Sequence, residues 1–129
     1  MKICIVISNY NKDITDGILK SAKKELEKFK TVRIKIIKVP GAFEIPVVIS
    51  KMIRKFDGFI AIGCIIKGET ANFDLISNAI TNGIMKISIN QKKPIGNAIL
   101  TAYDKLQAKK RFMRGKESAR AVIEVLKIN

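Results

Sequence analysis

The chain has 129 residues, of which 47% are hydrophobic, and it carries a formal net charge of +14 with no histidine. This length suffices for a buried core that needs neither disulfides nor a metal ion, so we expect residues 1–129 to form a single domain. No stretch approaches the roughly 20 uncharged apolar residues of a membrane span, so we expect a soluble protein.

Strands and helices are predicted in alternation along the chain. Residues 3–7 are predicted to form a strand, and residues 13–29 an amphipathic helix with apolar side chains at helical spacing. Residues 32–39 alternate basic and apolar side chains as a strand does. Pro40 and Gly41 then turn the chain into a second apolar helix that continues to Ile53.

The second half of the chain repeats this alternation. Residues 59–66 are almost wholly apolar, which predicts a strand buried on both faces of a parallel sheet. Apolar side chains at helical spacing predict a third helix at residues 73–87, and a fourth strand is predicted at residues 94–100. The remainder is predicted to be helical, with a break at Gly115.

This order of elements predicts an α/β fold with three layers, in which helices cover both faces of a four-stranded parallel sheet with right-handed crossovers. In such sheets ligands bind beyond the carboxyl ends of the strands. Those ends are predicted at SNYN (residues 8–11), VPGAFE (39–44), GCIIKGET (63–70) and ILTAYD (99–104). We therefore expect the functional residues in these four segments.

The cysteines lie in two apolar runs of the sequence. Cys4 and Cys64 have no spacing typical of a metal knuckle or a redox pair, so we expect both to be small buried side chains. The N-terminal segment MKICIVIS lacks the long apolar segment and cleavage site of a signal peptide. We expect a cytoplasmic protein.

A phosphate site is indicated where residues 67–70 (KGET) join a strand to a helix. GxGxxG and Walker motifs are absent, which argues against a nucleotide at the first strand. Free backbone N–H groups at the start of a helix attract a phosphate. Thr70 could donate to such an anion, or it could serve only as the helix cap.

Three further residues have two open interpretations each. Glu44, between Phe43 and Ile45, could accept hydrogen bonds from hydroxyls or an amine, or be only a favourable charge in the first turn of a helix. Tyr10 could stack on a planar heterocycle or simply pack. Arg111 could hold a phosphate with two parallel hydrogen bonds, although spacing alone does not single it out among 25 basic residues.

Taken together, the strand-end motifs resemble those of the lumazine synthase family along essentially the whole chain. The matching segments, in family order, are YN at 10–11, VPGAFEIP at 39–46, GCIIKGETANFD at 63–74, ILT at 99–101, and LQAKKR with GK within 106–116. The family condenses 5-amino-6-(D-ribitylamino)uracil with 3,4-dihydroxy-2-butanone 4-phosphate in riboflavin biosynthesis. The resemblance implies a flavodoxin-like winding and a transferase that uses no cofactor and no metal.

The resemblance also implies roles for individual residues. Tyr10 and Asn11 would meet the pyrimidine, and Glu69, Thr70, Arg111 and Lys116 would hold the phosphate. The other implied substrate contacts are Ala42, Phe43 and Glu44 at the ribityl chain, and Cys64, Ile65, Ile66 and Asn97 around the heterocycle. Asn97, Arg111 and Lys116 would come from a neighbouring subunit, so the working enzyme would be a homo-oligomer.

Asn72 departs from the family pattern, because it occupies the position of a histidine that the family uses to transfer protons. Asparagine cannot exchange a proton near neutral pH. A positioned acid or base contributes about 10²–10⁴-fold to a rate, whereas aligned reactants gain effective molarities up to about 10⁵–10⁸ M. We therefore expect a slowed but working enzyme. Asn97 also departs, since many members have an aromatic residue there.

Two other classes of protein are alternatives to this enzyme. A family member that has lost the chemistry and serves as a binding or shell-forming protein would have no reason to keep Glu44, Thr70 and Arg111. A nucleic-acid-binding domain would explain the excess of 25 basic over 11 acidic residues, yet no basic helix is interleaved with aromatic residues. A solvated lysine surface is the favoured explanation of the charge.

Assembly is expected to be modest in size. Only Met1 precedes the first predicted strand, and the connection from Arg111 to Lys116 is short compared with some shell-forming family members. We expect a pentamer or a pair of pentamers rather than a sixty-subunit shell, with two small-molecule substrates and with neither nucleic acid nor membrane as partner.

Overall fold

The computed structural model describes residues 1–129 and contains one four-stranded, all-parallel sheet. Its strands are β1 (Lys2–Ser8), β2 (Arg33–Val39), β3 (Gly58–Ile66) and β4 (Ile95–Ala102), in the order β2-β1-β3-β4. Four parallel strands with this winding confirm the predicted α/β fold. The order reverses between β1 and β3, which is where sheets of this kind open a crevice for ligands.

Five helices connect and cover the strands. They are α1 (Lys12–Leu26), α2 (Ile45–Met52), α3 (Phe73–Gln91), α4 (Lys105–Lys109) and α5 (Arg114–Leu126). Short 3₁₀ turns, Ala42–Glu44 and Lys67–Glu69, precede α2 and α3. No helix is both long enough and apolar enough to cross a membrane.

The core is divided into two layers by the sheet. Alternate residues of a strand point to opposite faces, so Ile3 and Ile5 pack with α1 and α5, whereas Cys4 and Val6 pack with α2 and α3. All nine residues of β3 are buried, because this strand has a neighbour on each side and helices on both faces. The predicted doubly buried strand is therefore confirmed.

Both cysteines are buried and unpaired, as predicted. Burial raises the pKa of each thiol to about 11, with Lys35 opposing the shift at Cys4. These groups are therefore neutral at physiological pH, which suits their place in the core.

The predicted break at Gly115 is wrong in position. The interruption lies at residues 110–113, and Gly115 is a buried residue in the first turn of α5. A Cβ at this position would overlap the Ile18 carbonyl oxygen and lie 2.9 Å from the Ala22 nitrogen. The glycine is required because α1 and α5 approach closely here.

Candidate active site

Asn11 connects the ends of the two central strands. Its Nδ2 donates to the Cys64 carbonyl oxygen at 3.4 Å and to Glu69 Oε1 at 3.3 Å. The backbone of Asn11 is left-handed, with φ 59° and ψ 46°, a conformation that asparagine tolerates better than most residues. This turn holds the KGET segment against the end of β1.

The turn after β2 lies at the same edge of the sheet, which is formed by the carboxyl ends of the strands. Tyr10 donates its backbone N–H to the Pro40 carbonyl at 3.1 Å, and the Gly41 N–H donates to Glu44 Oε1 at 2.9 Å. Gly63 lies close to this turn, since a Cβ there would stand 3.2 Å from the Ala42 Cβ. One carboxylate oxygen of Glu44 thus closes its own turn, and the other makes no hydrogen bond within the chain.

The carboxyl end of β3 contributes backbone rather than side chains. Cys64, Ile65 and Ile66 are all less than one tenth exposed. At Cys64 burial is the main cause of the raised pKa, and the charges of Glu69 and Asp13 add to it while Lys105 opposes it. Residues from α1, from α4 and from the KGET turn therefore surround this strand end.

Thr70 does not cap α3. The helix begins at Phe73, with Asn72 at its N-cap and no side-chain cap hydrogen bond. Thr70 Oγ1 instead accepts a hydrogen bond from the Asn72 backbone N–H at 3.2 Å. The hydroxyl proton of Thr70 has no acceptor within the chain, so it can be donated to a ligand. The Asn72 side chain is exposed beside it.

Three aromatic rings stand exposed at this edge. Tyr10 is 58% and Phe43 63% exposed, so both side chains are largely open to solvent. Tyr103, which follows β4, is 69% exposed and lies under Lys67, with Nζ 5.4 Å from the ring centroid. Both residues lie in segments predicted to hold functional residues, Lys67 in KGET and Tyr103 in ILTAYD, but neither was assigned a role of its own.

The remaining predicted residues lie elsewhere. Asn97 pairs with Ala61 in the middle of β4, and its side chain is exposed with Oδ1 bonded to the Ile99 N–H at 3.1 Å. Arg111 is exposed in the turn between α4 and α5 and makes no side-chain hydrogen bond or ion pair. The structure therefore does not join these two residues to the edge within one chain.

The side chains of Lys116 and Arg114 extend toward different elements, α1 and β4. Lys116 lines a groove against α1 with Ser21 and Glu25. Arg114 extends over β4, where its Nε donates to the Asn97 carbonyl oxygen at 3.1 Å. Lys116 was expected near the phosphate in a neighbouring subunit's site, which a single chain does not test, and the contact of Arg114 with β4 was not predicted.

The edge is suited to binding an organic ligand. It offers exposed rings for a planar group, the free oxygen of Glu44 for hydroxyls, and Thr70 with Lys67 for an anion. No group of three or more His, Cys, Asp or Glu side chains is arranged to hold a metal ion. Fold and edge together define a flavodoxin-like α/β protein with a small-molecule site at the strand ends.

Comparison with known proteins gives the family. Residues 1–129 match the family model described as 6,7-dimethyl-8-ribityllumazine synthase. A protein of that name from an Azoarcus species is 41% identical over 97% of this chain and 83% of its own length. Those from Methylibium petroleiphilum and Thermococcus kodakarensis are 38% and 33% identical, over 99% and 97% of this chain and 83% and 84% of their own lengths. The chain belongs to the 6,7-dimethyl-8-ribityllumazine synthase family.

Proposed function

We propose that the protein is a working 6,7-dimethyl-8-ribityllumazine synthase in riboflavin biosynthesis. It condenses 5-amino-6-(D-ribitylamino)uracil with 3,4-dihydroxy-2-butanone 4-phosphate and releases phosphate and water, without a cofactor or a metal. The observation that carries this proposal, beside the family match, is the convergence of Tyr10, the Ala42–Glu44 turn and the KGET turn at one edge.

The proposed roles of the residues combine the family resemblance with their positions. The exposed Tyr10 ring stacks on the pyrimidine, and Asn11 holds the neighbouring turn in place. Ala42, Phe43 and Glu44 line the ribityl site, where the free oxygen of Glu44 accepts from hydroxyls. The backbone of residues 64–66 bounds the heterocycle, since these side chains are buried.

The phosphate lies against the turn between β3 and α3. Backbone N–H groups of Glu69 and Thr70, together with the Thr70 hydroxyl, receive it in the turn that leads into α3, on the side that the helix dipole makes favourable for an anion. Binding the two reactants side by side supplies most of the rate.

Asn72 stands where the family has its histidine, and it hydrogen-bonds without transferring protons. The enzyme is therefore slower than a histidine-containing relative by about 10²–10⁴-fold. Water, the substrate phosphate or Glu69 moves the protons instead.

The complete site includes a second subunit. Asn97, Arg111 and Lys116 lie away from the edge in their own chain, and all three are at least partly exposed. We propose that a neighbour contributes them in a homopentamer or a pair of pentamers. The exposed apolar side chains Leu75, Met85 and Ile89 of α3 support an oligomer, since they are unpartnered in the single chain.

The remaining proposals concern organisation and location. Residues 1–129 act as one domain, since the two core layers share one sheet. A cytoplasmic location agrees with two buried, unpaired cysteines.

Lumazine formation by the purified oligomer, followed by absorbance with both substrates, tests the proposed function. We expect slow turnover in the parent, a rise of about 10²-fold in Asn72→His, and near loss in Arg111→Ala. Lys110→Ala, which removes the adjacent exposed charge, is the matched control and keeps the parent rate. An intact oligomer without turnover in any variant would show a binding or shell protein instead.

A further inference from the structure

The amino ends of the strands form a second concave surface, opposite the candidate active site. Two adjoining cavities of about 460 and 520 Å³ share Lys2, Arg33, Arg54, Lys55 and Phe56. We name this surface the amino-edge basin. Strands of seven to nine residues separate it from the catalytic edge, a distance of roughly 20–30 Å. It is therefore distinct from the synthase site.

The charge of the amino-edge basin is almost entirely positive. Besides the four shared cations, Lys35 and Lys93 line its two halves, and Asp57 is the one carboxylate. Asp57 Oδ2 accepts from the Lys2 backbone N–H at 2.7 Å, so this oxygen closes the join between β1 and β3. It forms no ion pair with the surrounding cations.

None of these cations forms an ion pair within the chain. The four ion pairs of the structure involve Lys12, Lys28, Lys109 and Arg120, which all lie elsewhere. Of the six basin cations only Lys93 makes a side-chain hydrogen bond, donating to the Ile53 carbonyl oxygen at 2.6 Å. Six like charges gathered in one concavity repel one another, and the cavity concentrates their field. Such an arrangement favours a bound anion.

The helix dipole accounts for only two of the cations in the amino-edge basin. Cations are favourable after the last turn of a helix, which explains Arg54 and Lys55 behind α2. Lys2, Arg33 and Lys35 lie on strands instead. Arg33 and Lys35 are two residues apart on β2, so they project from the same face of the sheet.

We propose that the amino-edge basin binds a small ligand with two or more adjacent phosphoryl groups. A single phosphate neutralises at most two of the net five positive side-chain charges, whereas a diphosphate or triphosphate chain neutralises three or four. Arg33 and Arg54 supply two planar guanidinium groups, which match pairs of phosphate oxygens. The cavity volumes suit a ligand of this size. This site is independent of the proposed synthase activity.

Titration calorimetry of the purified oligomer with inorganic tripolyphosphate tests the site, with inorganic phosphate and a single-stranded oligonucleotide as comparison ligands. Tripolyphosphate should bind more tightly than phosphate, and Arg33→Gln/Arg54→Gln should weaken it about tenfold or more. Both side chains are exposed and unbonded, so the double variant should fold and keep the parent's lumazine-forming rate, whatever that rate is.

Two control variants make the result specific. Lys20→Gln/Lys24→Gln removes the same charge from exposed positions on α1, and Arg111→Gln removes the proposed catalytic phosphate contact. Both should retain tripolyphosphate affinity within about twofold. Equal weakening in all variants, no measurable binding, or binding of the oligonucleotide but not of tripolyphosphate would each overturn the proposal.

Discussion

Asn11 and Glu69, 58 positions apart in sequence, meet at 3.3 Å across the ends of β1 and β3. The same Asn11 amide donates to the Cys64 carbonyl, so one side chain holds both the end of β3 and the turn that follows it. Asn11 makes both contacts from a left-handed backbone conformation. This residue therefore combines a conformational role with a positioning role.

Replacing Asn11 separates these two roles. Asn11→Gly keeps the left-handed backbone at no steric cost but loses the amide, whereas Asn11→Ala loses both. We expect turnover to fall about tenfold or more in each. Thermal unfolding should show Asn11→Ala less stable than Asn11→Gly by about 1 kcal/mol. Asn9→Ala, beside it, is the control and should be neutral; equal stabilities of the two Asn11 variants would contradict the conformational role.

Gly115 should tolerate no side chain. We expect Gly115→Ala to lower the free energy of unfolding by about 3 kcal/mol or more, because the new methyl group meets the backbone of α1. Gly17→Ala is the matched control in the facing helix, where a Cβ would lie 3.8 Å from the Phe112 Cβ. That variant should gain about 0.5–1 kcal/mol from helix propensity. Urea unfolding measures both, and similar effects of the two changes would contradict the close approach.

Glu25 should stabilise the seam between α1 and α5. Its pKa is lowered by the hydrogen bond from Lys28 and by the charges of Lys28, Arg120 and Lys116, which outweigh burial. Because the folded pKa lies below the unfolded one, this stabilisation is present at neutral pH. It is lost as the pH falls below the ordinary glutamate value of about 4.3.

Glu25→Gln tests this contribution. We expect a loss of about 1–2 kcal/mol at pH 7 and a shallower fall of stability between pH 5 and pH 3. Glu27→Gln, two residues along the same helix and exposed, removes the same charge without these partners. If the two variants lose the same thermal stability at pH 7 and at pH 3, the ion pairs of Glu25 do not stabilise the fold.

The two thiols should be unreactive in the folded protein. With the pKa of each near 11, the thiolate fraction at pH 8 is about a thousandth, and burial blocks access as well. A disulfide reagent at pH 8 should therefore modify neither Cys4 nor Cys64 until denaturant is added, after which both react. Rapid modification of one thiol in the native protein would show that its strand opens.

Much of the candidate site could be located from sequence because functional residues of a parallel sheet lie at strand ends. Tyr10, Glu44 and Thr70 were selected on that ground, and the structure places their segments at one edge. Of the two interpretations left open for Thr70, the helix cap does not hold, because the 3₁₀ turn Lys67–Glu69 delays the start of α3 to Phe73. Sequence spacing does not distinguish such a turn from the first turn of a helix.

The sequence by itself determined the order of strands and helices, the doubly buried β3 and the burial of both cysteines. Those properties depend on the local spacing of apolar residues, which repeats every two residues in a strand and about every 3.6 in a helix. Only the tertiary structure decided that Arg114 reaches the Asn97 carbonyl, that Asn11 meets Glu69, and that Gly115 lies against the backbone of α1. These contacts join residues 17 to 97 positions apart, so strand order and helix packing bring them together.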